Sequence, residues 1–112
     1  MATILKKLIL FAVLIIFSAG MASAQTVRVG IAAEPYPPFT TPDASGKWTG
    51  WEIEIMQALC EEAKLDCVIT PTAWDGIIPA LMSKKIDMII GSMSITAERM
   101  KSIDFSDKYY NT

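Results

Sequence analysis

Residues 51–70, WEIEIMQALCEEAKLDCVIT, decide the fold. From Trp51 to Lys64, Ile55, Met56, Leu59, Cys60 and Ala63 recur at helical spacing on one face. Glu54, Gln57, Glu61 and Lys64 fall elsewhere, and Glu52 and Glu54 stand in the first turn, where the positive end of a helix dipole favours acids. Asp66 to Thr70 (DCVIT) then changes to a short strand. Outward from this pair, Val27 to Ala32 (VRVGIA) alternates and is rich in β-formers, which predicts a first strand. Asp75 suits the N-cap of a second helix running to about Lys84, with Pro79 tolerated in its first turn and Lys84 and Lys85 at its cation-favouring end. Ile86 to Ile90 predicts a third, buried strand, and Gly91 to Ile95 a loop. Thr96 opens a short third helix through Lys101. The order β-α-β-α-β with short connections predicts an α/β fold with a largely parallel sheet flanked by helices.

The segment between the first strand and the first helix is of another kind. Glu34 to Thr41 (EPYPPFTT) holds three prolines around Tyr36 and continues neither strand nor helix. Pro42 to Gly50 (PDASGKWTG) is turn-rich, with Asp43 and Gly46 as turn residues and Trp48 on a small hairpin.

The N-terminus is an address. Lys6 and Lys7 precede the apolar run Leu8 to Phe17 (LILFAVLIIF), and Ser18 to Ala24 (SAGMASA) ends in an A-x-A motif. The expectation is a signal peptide over 1–24, cleaved after Ala24, rather than an uncleaved anchor. With no Cys following the run, a lipid anchor is not expected. Residues 25–112 then form one exported domain, placed outside the cytoplasm.

The leader removes two of ten basic residues and none of twelve acidic ones, so the remaining balance is eight against twelve, or −4. Such an acidic domain without a basic run excludes nucleic acid and anionic membrane as expected partners. With no His and two Cys an ordinary zinc site is excluded, and no cofactor is expected. Neither a nucleophile elbow, a Gly-rich dinucleotide turn nor a phosphate loop is present, so the chain is read as a binding module, not an enzyme. An oxidising compartment favours pairing Cys60 with Cys67; the alternative is two small buried thiols.

In an open parallel sheet ligands gather at the carboxyl ends of the strands. Three segments leave such ends: 33–39, 70–75 and 91–99. In the last, Ser92 and Ser94 lead to a helix start with Arg99 in its first turn, where a cation is misplaced unless an anion joins it. A ligand carboxylate is one such anion, gripped by Arg99 with Ser92 and Ser94 as added donors. Pairing of Arg99 with Glu98, Asp104 or another exposed acid is the plainer alternative, and spacing alone favours it slightly. Tyr36 and Trp74 can sandwich a ligand side chain or simply pack. Glu34 is an acid beside them.

Taken together these segments resemble one family. Val29-Gly30, Tyr36-Pro37-Pro38-Phe39, Gly50-Trp51-Glu52-Ile53-Glu54-Ile55, Trp74-Asp75-Gly76-Ile77-Ile78-Pro79-Ala80-Leu81, Lys85-Ile86-Asp87, Ser92-Met93-Ser94-Ile95-Thr96 with Arg99, and Asp104-Phe105-Ser106 occur in order. This resembles the family 3 extracellular solute-binding proteins over essentially all of 27–110. The resemblance implies lobe one of a two-lobed, periplasmic-binding-protein-like clamshell that delivers an amino acid to an inner-membrane ABC permease, acting as a monomer. It implies that Arg99, helped by Ser92 and Ser94, binds the ligand α-carboxylate, and that Tyr36 and Trp74 pack on its side chain. It also implies a Cys60–Cys67 disulfide, as in the lysine/arginine/ornithine and histidine binders.

Three positions depart from the pattern: Trp51 replaces a Phe, Tyr or aliphatic residue, Gly91 stands where a Ser is frequent, and Ala33 occupies the place of the side-chain-binding acid. Glu34 matches that acid only after a one-residue shift, so it is the weakest site residue, and the ligand expected is polar with a basic side chain suggested. The second lobe is absent from the expectation for 25–112, which reads as interrupted after Thr112. Related scaffolds imply two alternatives: a cyclohexadienyl-dehydratase-like enzyme, and a sensing module of a membrane receptor or cell-wall enzyme.

Overall fold

The computed structural model describes residues 2–6, 20–21 and 23–111. Leu8 to Phe17 and Ala22 of the expected leader lie outside the described residues. No helix of the described residues is long and apolar enough to cross a membrane.

Strand β1 (Thr26–Ala32) lies between β4 (Asp66–Thr72) and β5 (Met88–Ile89) in a three-stranded parallel sheet. Register runs from Thr26 opposite Asp66 to Ala32 opposite Thr72 on one side, and pairs Val29 with Met88 and Gly30 with Ile89 on the other. The central position makes β1 the most buried strand, with Val29 and Ile31 fully enclosed. A short antiparallel pair, β2 (Thr41–Pro42) and β3 (Trp48–Thr49), forms the expected hairpin. Its turn is held by the Asp43 carboxylate, which accepts from the Ser45 N–H and hydroxyl and from the Lys47 N–H, around Gly46 at φ 85°.

The strand period of two separates two apolar layers. Val27, Val29 and Ile31 face helix α1 (Trp51–Glu62) and pack with Ile53, Met56, Cys60 and Ile90. The opposite face, where Gly30 lies, meets Ile77 and Ala80 of helix α2 (Ile77–Met82) and Ile86. A methyl on Gly30 would run into the Ile86 side chain, so the absence of a Cβ sets how closely this layer approaches. Each fully enclosed isoleucine contributes about 1.5–3 kcal/mol of burial.

Several boundaries differ from those the sequence predicts. Helix α1 ends at Glu62, because Lys64 takes the left-handed conformation at φ 55° and the Leu65 N–H turns back to the Cys60 carbonyl. Its inward face is the 52–53–56–60 stripe: of the predicted face Met56 and Cys60 are buried and Ile55 packs partly against the core, whereas Leu59 and Ala63 are exposed. Strand β4 continues two residues past Thr70, carried by pairing to β1, and β5 is shorter than 86–90. Asp75 is not an N-cap. Trp74–Gly76 is a 3₁₀ turn before α2, and no side chain caps either start from within. The Trp74 N–H is instead taken by the distant Glu34 carboxylate at 3.2 Å. Thr96, by contrast, caps helix α3 (Ala97–Met100) as expected, accepting from the Arg99 N–H at 3.2 Å.

Cys60, in the last turn of α1, and Cys67, at the start of β4, form a disulfide with Cα atoms 6.1 Å apart. Arg28 of β1 makes a bidentate ion pair with Asp87 and donates to the Lys84 carbonyl, locking the turn between α2 and β5 to the sheet.

Candidate functional site

The carboxyl ends of β1, β4 and β5 open on one side, and the segments leaving them build the site. After β1 the proline-rich loop folds back on itself. Tyr36 and Thr40 exchange backbone hydrogen bonds of 2.7 and 3.0 Å, and the Tyr36 ring stacks on Phe39 at 5.2 Å. This loop is seated on α1: the Trp51 and Glu52 N–H groups donate to the Pro38 and Phe39 carbonyls, each at 3.1 Å. Such close backbone approach demands Gly50, since any Cβ there would strike the Phe39 carbonyl, and its φ of 123° is unfavourable for other residues. The helix thus spends its free N-terminal donors on positioning Tyr36.

A cavity of about 270 Å³ results, lined by Ala32, Glu34, Pro35, Tyr36, Thr40, Glu52, Trp74, Gly91 and Ser92. Of the residues predicted from sequence, Glu34, Tyr36, Trp74 and Ser92 meet on its walls. Arg99 stands next to it, its guanidinium over the Trp74 ring at 5.9 Å from the centroid. Its Nη1 donates to the Ser94 carbonyl at 2.9 Å. Ser94 therefore meets Arg99 through its backbone, while its hydroxyl lies outside the cavity lining. The two acids offered as pairing partners do not take Arg99: Glu98 binds Lys101 at 2.6 Å, and Arg99 makes no ion pair among the described residues. The N-terminus of α3 is less open than the sequence implies, because Thr96 already occupies the Arg99 N–H. Asp75 is exposed and does not line the cavity.

Glu52 is the residue that sequence reasoning missed. It is fully buried, and its Oε1 accepts from the Ser92 N–H (2.6 Å), the Ser92 hydroxyl (2.9 Å) and the Tyr109 hydroxyl (2.6 Å). The signal was present in the helical period: 52, 56 and 60 share a face, so an acid in the first turn lay on the core stripe. Burial, and then the hydrogen bond and negative charge of Glu52, hold the Tyr109 phenol well above its ordinary value.

A larger hollow of about 870 Å³ lies beyond β5, between Ile55, Leu59, Met82, Met88 and the Ser102–Asp107 segment. It carries none of the predicted site residues. Among the described residues no cluster of His, Cys, Asp and Glu has the spacing to hold a metal ion.

The model of the bacterial extracellular solute-binding proteins, family 3, matches residues 27–112. The chain belongs to this family. Among solute-binding relatives, an L-arginine-binding protein of Pseudomonas aeruginosa is 48% identical over 91 residues, covering 81% of this chain and 35% of that protein. The chain spans 35% of the length of that relative and 43% of the length of an ABC transporter arginine-binding protein of Escherichia coli. Among solved solute-binding structures, the arginine-bound form of domain 1 from TmArgBP superimposes with a TM-score of 0.71 at 36% identity, covering 76% of this chain and 67% of that one. An ancestral amino-acid-binding protein described as a precursor of cyclohexadienyl dehydratase matches with a TM-score of 0.70 at 46% identity, covering 76% of this chain and 37% of that one. These neighbours are periplasmic binding protein domains, and the chain shares the α/β architecture of a single lobe.

Proposed function

We propose that this solute-binding chain is lobe one of a periplasmic receptor that captures an amino acid with a basic side chain for an ABC importer. The observation that carries the reading is the arrangement around Trp74. A guanidinium without an acidic partner among the described residues lies over its ring, a carboxylate accepts its backbone N–H, and Tyr36 stands in the same cavity. Arg99 is the group proposed to take the ligand α-carboxylate, with Ser92 as a further donor and the loop at Ser94 orienting the guanidinium. Tyr36 and Trp74 offer aromatic faces to the side chain, and Glu34 offers negative charge to a cationic end. The names of the arginine-binding relatives support a basic ligand.

The remaining parts of the proposal follow from the sequence. Residues 1–24 are a leader cleaved after Ala24, and 25–112 belong to lobe one of a monomeric protein whose second lobe closes over the ligand. The chain binds and does not turn over its ligand, without a cofactor. The matched dehydratase precursor is itself described as an amino-acid-binding protein, which supports binding over catalysis. That a single domain of a relative has an arginine-bound form supports capture on one lobe.

Calorimetric titration with L-arginine and with agmatine, which lacks only the carboxylate, tests the assignment. The chain is expected to prefer L-arginine, and Arg99→Ala to remove that preference with a loss of about 10- to 100-fold, the range for a hydrogen-bonded charge. Equal discrimination in wild type and Arg99→Ala would sink it.

A further inference from the structure

Burying a carboxylate is costly unless donors surround it, and here the donors are unevenly placed. All three hydrogen bonds to the Glu52 carboxylate fall on Oε1, whereas Oε2 is buried without a hydrogen-bond partner among the described residues. Glu52 forms no ion pair among the described residues. An acid kept in this state is doing something that an apolar residue could not. What it touches shows what. Ser92 takes a left-handed backbone conformation, φ 50°, that a serine adopts reluctantly, and Glu52 binds that residue by both its N–H and its hydroxyl. Tyr109 reaches the same oxygen from a segment without regular structure, its ring 6.1 Å from Trp51.

We propose that Glu52 is a positioning residue for ligand capture: it holds Ser92 in its strained, ligand-facing conformation and couples that loop to the Tyr109 segment through one shared carboxylate oxygen. Displacement of Tyr109 therefore loosens Ser92, and fixing Ser92 by a ligand tightens the 103–111 segment. This rests on the reading of the cavity as an amino-acid site, but the coupling itself is measurable without any ligand. Tyr109 does not line the cavity, so its effect on binding can pass only through a neighbour.

The test is a double-mutant cycle in the full chain with Tyr109→Phe and Glu52→Gln, read by amide hydrogen exchange and by L-arginine titration. Tyr109 is 44% exposed, so removing its hydroxyl leaves the fold intact even where Glu52→Gln does not fold. Tyr109→Phe is expected to speed exchange at the Ser92 amide and weaken L-arginine binding, each by about fivefold, the lower end of site-to-site coupling. Exchange in the middle of β1 should not change. In the Glu52→Gln background the added effect of Tyr109→Phe should largely vanish. Unaltered Ser92 exchange in Tyr109→Phe, or fully additive effects in the double mutant, overturns the coupling. If Ser92 exchange responds as expected but wild type binds no L-arginine, the coupling stands and the amino-acid reading of the cavity falls.

Discussion

Reducing the Cys60–Cys67 disulfide should cost this domain much of its stability, although the loop it closes is short. The two cysteines are seven positions apart. On the chain-entropy model a loop of that size restricts the unfolded chain by about 2.5 kcal/mol at room temperature. In a domain of this length 1 kcal/mol corresponds to about 4–8 °C, so the melting temperature should fall by about 10–20 °C. The bridge joins the end of α1 to the beginning of β4, two elements that also pack on each other, so reduction leaves the apolar contacts of Cys60 in place. Circular dichroism melts of oxidised and reduced wild type isolate the cross-link from packing. A Cys60→Ala/Cys67→Ala double variant adds the loss of two sulfur atoms, one of them in the core. A reduced protein melting within about 2 °C of the oxidised one would refute the argument, because that shift corresponds to only a small part of the loop entropy.

Two further outcomes follow from local geometry and charge. Lys64→Gly should stabilise by about 0.5–1 kcal/mol in denaturant titration, since Lys64 holds a left-handed conformation that glycine adopts without a steric penalty. The Asp87 carboxyl is held at about 2, first by hydrogen bonds from the Arg28 side chain and backbone N–H and then by its charge. Its folded value lies below the unfolded value of about 3.9, so its contribution is present above that value and lost as pH falls through about 2. The melting-temperature gap between wild type and Asp87→Asn should accordingly be constant above about pH 5 and close between about 4 and 2. A gap of the same size at pH 2 contradicts this.

Element type and order came from local information alone. Period two in Val27–Ala32, helical spacing after Trp51 and the proline cluster around Tyr36 each constrain the backbone within a few residues. Thr96 is likewise legible, because a threonine cap acts on its nearest neighbours. The disulfide was within reach too, seven positions being spanned by one helix end and the next strand. What the sequence could not decide is which partner completes a polar group over long separations. Glu34 takes the Trp74 N–H and Glu52 takes Ser92, each across forty positions, and neither distance leaves a trace in periodicity. Asp75 has the local marks of a cap and caps neither helix start, while Glu52 is a first-turn acid whose helical phase puts it on the core stripe, where only the fold supplies its donors. Both outcomes have one physical cause. Hydrogen-bond partners are chosen by proximity in the folded chain, and that proximity exists only after β1, β4 and β5 have paired and brought their carboxyl ends together.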